Sequence, residues 1–373
     1  MSDHVRRVPR LLRPLRPRLG SIDIELTERC DNDCIHCCIN RPASDSVARA
    51  GELATDQVKD VVRQAADLGC LQVRYTGGEP LLRPDFEELY LHARRLGMRV
   101  LVFTNARRLT PRLADLLVRV PPLVAVEVSV YGMHAESYEA VTRVPGSFAQ
   151  FRRGVDLLLG RGIPFVIKSA LLPPNRGEID ELEAWAASIP GMTGPPTYAM
   201  FYDLRNRRDD AAKNRQIEAL RMTPEEGVAV LTRDAAAYRK SIEEFAAAFM
   251  GARGDLLFGC GVGHGVSVDA YGRAQPCMGV RAPDLTVDLA GASLAQALER
   301  FEGLRELRAT DSEYLRRCAR CTLKGLCEQC PAKSWAEHGT LDTPVEYFCE
   351  VAHAQARWLG WLGERERGWE RVT

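Results

Sequence analysis

An α/β fold built on a parallel sheet curled toward a barrel is predicted by three observations. Six short apolar segments recur between residues 20 and 202, with amphipathic stretches of helical length between them. Those stretches begin and end on residues that start and stop helices. The 373 residues have room for one large α/β domain and a smaller one, and the 46% apolar content is ordinary for a globular protein. Six βα units argue a parallel sheet but are too few for a complete eight-stranded barrel.

The strands fall at 22–26, 71–75, 99–103, 124–130, 165–170 and 197–201. A helix over 56–68 takes Thr55 as its N-cap and stops at Gly69. The next, 84–96, starts with Pro84 and stops at Gly97. Thr110 caps a helix with Pro111 at its first position, and Ser147 caps one ending near Gly160. Residues 1–19 form a basic arm rich in Pro and Arg. Residues 203–257 form a helical bridge that opens with a charged stretch, 205–213, and continues as one long helix capped by Thr223. Residues 258–373 form a second domain with seven of the twelve cysteines, ending in a helix over 345–362 that Gly363 stops.

Lys+Arg and Asp+Glu both number 50, so no excess of charge points to nucleic acid. No apolar run approaches a membrane span, and the N-terminus lacks the apolar core of a signal peptide. Twelve cysteines without an export signal suit metal or iron–sulfur ligation in a reducing cytoplasm better than disulfides.

The most informative residues follow the first strand. Cys30, Cys34 and Cys37 stand as C-x3-C-x2-C on one short loop. Cubane [4Fe–4S] clusters usually take four thiolates, so a loop that offers three leaves one iron open for chemistry. Zinc is the alternative, although zinc favours paired C-x2-C knuckles.

This loop resembles that of the radical S-adenosylmethionine (SAM) enzymes. The resemblance implies a partial (β/α)6 barrel whose cluster binds SAM through its amino and carboxylate groups. It also implies one-electron cleavage of SAM to methionine and a 5′-deoxyadenosyl radical. Gly77, Gly78, Glu79 and Pro80, at the end of the second strand, match the motif that holds the SAM amino group. By the same resemblance Ser129 lies near the SAM ribose or carboxylate, and Arg143 pairs with the carboxylate. His36 stands where many of these enzymes carry an aromatic residue; packing against adenine, shielding the cluster and plain core packing all fit. Met200 is placed near adenine or in the core. Lys168 points near the cavity or into an ion pair. Cys38 and Cys70 are left as small buried residues.

The second domain reads Cys260-x16-Cys277, then Cys318-x2-Cys321-x5-Cys327-x2-Cys330, then Cys349. The order, with Gly272 ahead of Cys277, resembles the SPASM extension, a small iron–sulfur domain with two auxiliary [4Fe–4S] clusters. The last spacing of the central run is one residue shorter than usual. Carried over, Cys260, Cys277 and Cys330 hold the inner cluster, and Cys318, Cys321, Cys327 and Cys349 the outer one. That gives three [4Fe–4S] clusters with SAM, and clusters that can accept the electron a substrate radical must lose. Read without the family, the knuckles fit zinc sites.

SPASM proteins mostly modify ribosomal peptides or protein side chains, so the resemblance implies a radical SAM oxidoreductase that abstracts hydrogen from a peptide, making a crosslink or a double bond. Met278 follows Cys277 where the sulfatase maturases carry an aspartate base. The 29 residues before Cys30 leave no room for a leader-binding domain. Recognition then falls to a separate leader-peptide-binding protein, the arginine arm, or the bridge around Arg205 and Arg208. A flavodoxin- or ferredoxin-type protein is the expected electron donor. The alternatives are a dehydrogenase or cofactor-biosynthesis enzyme acting on a small molecule such as a sugar alcohol or tetrapyrrole, and a non-catalytic iron–sulfur or zinc scaffold.

Overall fold

The computed structural model describes residues 19–249, 253–258, 260, 265–327 and 330–371. The basic arm lies outside these residues, apart from the fully buried Leu19. Strand β1 (Ser21–Thr27) feeds the cysteine loop, which the two-residue strands β2 (Arg29–Cys30) and β3 (Arg41–Pro42) bracket. Helices α1 (Ser46–Gly51) and α2 (Thr55–Asp67) lead to β4 (Gln72–Gly77), and α3 (Phe86–Arg95) leads to β5 (Arg99–Thr104). Helix α4 (Pro111–Arg119) leads to β6 (Leu123–Val130), and α5 (Ala135–Thr142) with α6 (Ser147–Gly160) leads to β7 (Phe165–Ala170). Helix α7 (Ile179–Ala187) leads to the short β8 (Thr197–Ala199).

The bridge holds α8 (Ala211–Leu220), α9 (Pro224–Leu231) and α10 (Ala235–Phe249). Beyond it come β9 (Gly265–Val268), β10 (Arg273–Gln275), β11 (Val287–Asp288), α11 (Leu294–Glu302), α12 (Ser312–Arg316), α13 (Pro331–His338) and α14 (Glu346–Trp358).

The six expected strands pair in parallel in the order β1-β4-β5-β6-β7-β8. Alternation decides which face packs. Ile22, Ile24, Val73, Tyr75, Val100, Val102, Val126, Val128, Phe165 and Ile167 are buried in the main core. Burying each such side chain contributes roughly 1.5–3 kcal/mol. The alternate positions are polar: Asp23, Arg74, Glu127 and Lys168 carry charge on the other face, around the ring of Phe103.

The sheet does not stop at β1. Strand β9 pairs with it in parallel, Ser21 against Gly265 through Ile24 against Val268, and β10 and β11 extend the edge in antiparallel fashion. The result is an open nine-stranded sheet shared by the barrel and the cysteine-rich region. Charged groups tie this junction. Arg281 pairs with Glu25 where both are buried, and it donates to Gln275 Oε1 at 2.9 Å. Arg207 of the bridge bonds Glu28 at 2.5 Å and Asp269 at 2.9 Å, while Tyr271 donates to Glu28 at 2.8 Å.

Several boundaries differ from the sequence reading. Thr55 is the first residue of α2, not its cap, and its hydroxyl donates to Asp85 at 2.7 Å. Pro84 precedes α3, because Arg83 and Asp85 form a bonded turn there. Ser147 opens α6 behind Gly146, its hydroxyl paired with that of Thr142 at 2.7 Å. The long bridge helix is two helices, broken at 232–234, where Thr232 ends α9. The final helix stops at Gly360, which takes the left-handed φ of 76°, rather than at Gly363. Thr110 and Thr223 cap as expected, accepting from Leu113 N and Glu226 N.

Candidate active site

The cysteine loop hangs from the C-terminal end of β1 and is pinned from several sides. Asp33 N donates to Thr142 O at 2.9 Å and Ile35 N to Val141 O at 3.0 Å, so the loop docks on the end of α5. Arg143 closes that helix with a left-handed φ of 55° and turns its guanidinium onto Asp33, bonding the carbonyl at 2.9 Å and the carboxylate at 2.5 Å. Arg107 donates to Asp31 O and to Asn32 Oδ1, and Asn105 Nδ2 donates to Asp31 Oδ1 at 2.8 Å. From the bridge, Lys213 Nζ donates to Cys34 O at 2.8 Å.

The thiols themselves are sheltered. Cys34 is buried, and Cys30 and Cys37 are partly so. Burial pushes the Cys30 and Cys34 thiols well above their ordinary values, so as free groups they stay protonated. A bound metal ion reverses that preference and deprotonates a coordinating thiol. Asn32 N lies 3.4 Å from Cys30 Sγ and Asn105 Nδ2 lies 3.9 Å from it. Donors aimed at a sulfur suit a thiolate ligand. Among the described residues no three His, Cys, Asp or Glu side chains are grouped to hold a single metal ion; the shelter of Cys30, Cys34 and Cys37 and the donors aimed at Cys30 Sγ suit thiolates that hold a cluster.

Gly77, Gly78 and Glu79 lie directly against residues 27–29, which lead into this loop. Gly78 N donates to Thr27 O at 2.7 Å and Glu79 N to Arg29 O at 2.9 Å. A Cβ on Gly77 would meet Thr27 O at 2.1 Å, and Gly77 has φ of 136°; a Cβ on Gly78 would meet Arg29 O at 2.3 Å. The glycines are needed because strand end and cysteine loop touch backbone to backbone. Glu79 is fully buried, with both carboxylate oxygens engaged: Thr104 Oγ1 at 2.8 Å, Leu81 N at 3.1 Å and Asn105 N at 2.8 Å. Burial outweighs these donors and lifts its carboxyl to about 7. Pro80 opens a turn of 3₁₀ helix, Pro80–Leu82.

Ser129 is half-buried near the end of β6, level with Lys168 on β7. Lys168 pairs with Glu127 at 2.5 Å and stands 3.5 Å over the Phe103 ring, so it takes the ion-pair option. His36 packs between Tyr131 and Tyr202, ring centroids 5.5 and 5.4 Å away. Burial, then the Lys213 charge, lowers its ring to about 4, so it is neutral. Met200 is buried just past β8 among Leu171, Ile179 and Met222, the core-packing option. Cys70 is buried and donates to Gln72 O at 3.1 Å.

In the second domain, Cys260, Cys318, Cys321, Cys327, Cys330 and Cys349 line one cavity of about 410 Å³. Cys277 lies within electrostatic reach of Cys260 and Cys330, and Cys318 within reach of Cys321 and Cys349. Burial raises the Cys318 thiol to about 12 and those of Cys330 and Cys349 to about 11. Arg317 donates to Cys349 Sγ at 3.4 Å, and Leu323 N to Cys321 Sγ at 3.4 Å. The tail closes over this cavity: Gly368 O accepts from Thr322 N at 2.9 Å, and a Cβ on Gly368 would meet Cys321 Sγ at 2.7 Å. Gly368 N donates to His353 Nε2 at 3.0 Å, leaving Nδ1–H to donate to Cys349 O at 2.7 Å.

The bridge arginines are occupied within the fold. Arg205 is buried on Asp209, and Arg208 donates to the carbonyls of Trp335 and Ala336 at 2.9 Å. They hold the bridge in place. Sequence reading gave no role to Asn105 at the end of the third strand, and none to Arg107, Lys213 and Arg281. Only for Asn105 was there a signal, its place at the end of a barrel strand.

Residues 24–186 match the Radical SAM superfamily. The chain carries a radical SAM domain, and enzymes of that family bind SAM and a [4Fe–4S] cluster. The AdoMet-dependent heme synthase of Methanosarcina barkeri is 29% identical over 341 residues, spanning 87% of this chain and 93% of that protein. The PqqA peptide cyclase of Streptomyces rochei is 35% identical over 159 residues, 42% of this chain and 41% of that protein. Two solved structures share the fold. A tagged form of anSMEcpe with bound AdoMet aligns at a TM-score of 0.66 and 14% identity over 91% of this chain and 93% of that one. Streptococcus suis SuiB bound to S-adenosylmethionine aligns at 0.62 and 16%, over 93% and 79%. Among the described residues no helix is long and apolar enough to cross a membrane.

Proposed function

We propose that this chain is a radical SAM oxidoreductase that oxidises a peptide, with Cys30, Cys34 and Cys37 holding the cluster at which SAM is cleaved. The observation that carries the reading is the docking of the glycine motif on residues 27–29, which lead into the cysteine loop, Gly78 N to Thr27 O and Glu79 N to Arg29 O. When bound, the cluster supplies the electron that breaks the SAM sulfonium bond. The protein's part is to position and to exclude water. Glu79 holds the ends of β4 and β5 together, Arg143 and Arg107 fix the loop, and Ser129 stands near the end of β6. Gly77 and Pro80 shape the turn on which SAM's amino group would rest, and His36 walls the loop with a neutral ring.

In the same reading Cys260, Cys277 and Cys330 hold an inner auxiliary [4Fe–4S] cluster, and Cys318, Cys321, Cys327 and Cys349 an outer one. The cavity lined by six of these seven cysteines, all but Cys277, supports this. The chain then divides into a radical SAM core over 20–202, a bridge over 203–257 and a SPASM domain over 258–373. A peptide substrate is supported by the PqqA peptide cyclase likeness and by SuiB, which is known with precursor peptide SuiA bound.

A second reading is favoured by one observation: the heme synthase aligns over 93% of its own length, whereas the cyclase aligns over 41%. On that reading the substrate is a tetrapyrrole. Anaerobically reconstituted enzyme with SAM and strong reductant tests both. Loss of two hydrogens from a candidate peptide, with stoichiometric 5′-deoxyadenosine, supports the first. The same yield with a tetrapyrrole alone supports the second. No SAM cleavage at all sinks both and leaves a scaffold.

A further inference from the structure

Helix α8 is the first helix of the bridge, and among its residues only Lys213 and Ile217 are buried. Ile217 lies in an apolar cluster with Ala170, Leu172 and Tyr202, against which Ile35 of the cysteine loop packs. One turn earlier on the same face stands a lysine, where an apolar side chain would satisfy the packing. Lys213 is 7% exposed, and its Nζ donates to Cys34 O, 2.8 Å away within the loop.

A buried ammonium is costly unless it meets an anion. Among the described residues Lys213 has no carboxylate partner in ion-pair contact. The charged and titratable groups that face it are Arg143, Asp33, Cys34, Cys37 and His36. Asp33 is already held by Arg143 at 2.5 Å, and the His36 ring packs between Tyr131 and Tyr202. What remains to answer the Lys213 charge is the pair Cys34 and Cys37, two of the three cysteines of the loop. A cluster on three thiolates is anionic and becomes more so on reduction.

We propose that Lys213 is a positioning residue of the bridge that gives the cysteine loop its counter-charge, and so sets how readily the barrel cluster accepts an electron. The inference rests on the cluster assignment made above. It gives the bridge a part in electron transfer that the barrel strands do not supply. The sign follows from electrostatics: a nearby cation favours the reduced, more negative state, so its removal lowers the midpoint potential.

The experiment is an EPR-monitored redox titration of reconstituted full-length wild type, K213Q and K213R, following the signal that changes on adding SAM. K213Q keeps a polar group and loses the charge; K213R keeps the charge. K213Q is expected to load the same iron and to be reduced about tenfold less favourably, about 59 mV for a one-electron couple, while K213R stays near wild type. A K213Q potential equal to wild type overturns the proposal, as does a K213R shift as large as that of K213Q. If K213Q fails to hold iron, K213R decides: retained iron and potential support the charge, and loss in both variants overturns it. A wild type without any SAM-responsive signal overturns the cluster assignment itself, an outcome distinct from an unshifted K213Q.

Discussion

The cysteine loop of the barrel and the cysteine cavity of the second domain build buried thiols in opposite ways. In the barrel, three cysteines share one short loop, and the precision comes from outside it: Arg107, Arg143, Asn105 and Lys213 each reach in from beyond the loop. In the second domain the cysteines come from segments far apart in sequence and meet around an apolar cavity. There the chain's own tail gives the shelter, with Gly368 lying on Cys321. A local motif held by distant clamps tolerates no change in spacing. A cavity assembled from distant segments depends instead on the packing that brings them together.

The largest expected effect separates the two regions outright. C30A should abolish SAM cleavage, whereas C318A should leave uncoupled 5′-deoxyadenosine formation and stop substrate oxidation, both read by chromatography of the nucleoside. Cleavage surviving C30A would break the assignment of the barrel site. Next is the junction: R281A should destabilise the fold by about 3–5 kcal/mol, because Glu25 is left buried without its partner. The double change R281M with E25L should recover much of that in denaturant unfolding.

A third test acts on the loop's support. Glu79 is held at about 7, above its ordinary value, so its protonated form is favoured by folding. Its stabilising contribution is full below about pH 4.5 and is lost as pH rises through 7, on the order of 3 kcal/mol. E79Q should remove that slope; parallel pH profiles of wild type and E79Q unfolding would refute it. The smallest effect belongs to the tail. G368A should cost about 1–3 kcal/mol by overpacking and speed alkylation of Cys321 while leaving Cys34 unchanged, as mass spectrometry of labelled peptides would report.

Much of the barrel was legible in sequence because its signals are local. Thr110-Pro111 and the Thr223 capping box act within one turn, and the apolar runs of β1, β4, β5, β6 and β7 fall where the structure has strands. The cysteine loop stood out by its spacing, whereas Gly77–Pro80, an ordinary turn in isolation, stood out only by resemblance to the radical SAM motif. Strand β9 was not: its four residues, Gly265–Val268, follow no strand-length apolar run, and their partner is β1, far away in the chain. Lys213 was hidden for a related reason. It sits in a charged stretch that reads as a solvated surface, and only the docking of α8 against the loop buries it. Met200 and Lys168 were left between two options, because a side chain on a strand end turns to the cavity or away from it according to its neighbours.

The pairing of β9 with β1 has a practical consequence for anyone dissecting the molecule. A truncation that ends before β9 would strip β1 of one neighbour and leave unpaired the backbone amides and carbonyls along Ser21–Ile24 that face β9, while β4 still pairs the other edge. A bare, flat strand of that kind recruits strands from other chains. An isolated barrel fragment should therefore aggregate even with its own cysteine loop intact, and the two regions are best expressed, mutated and inherited as one piece.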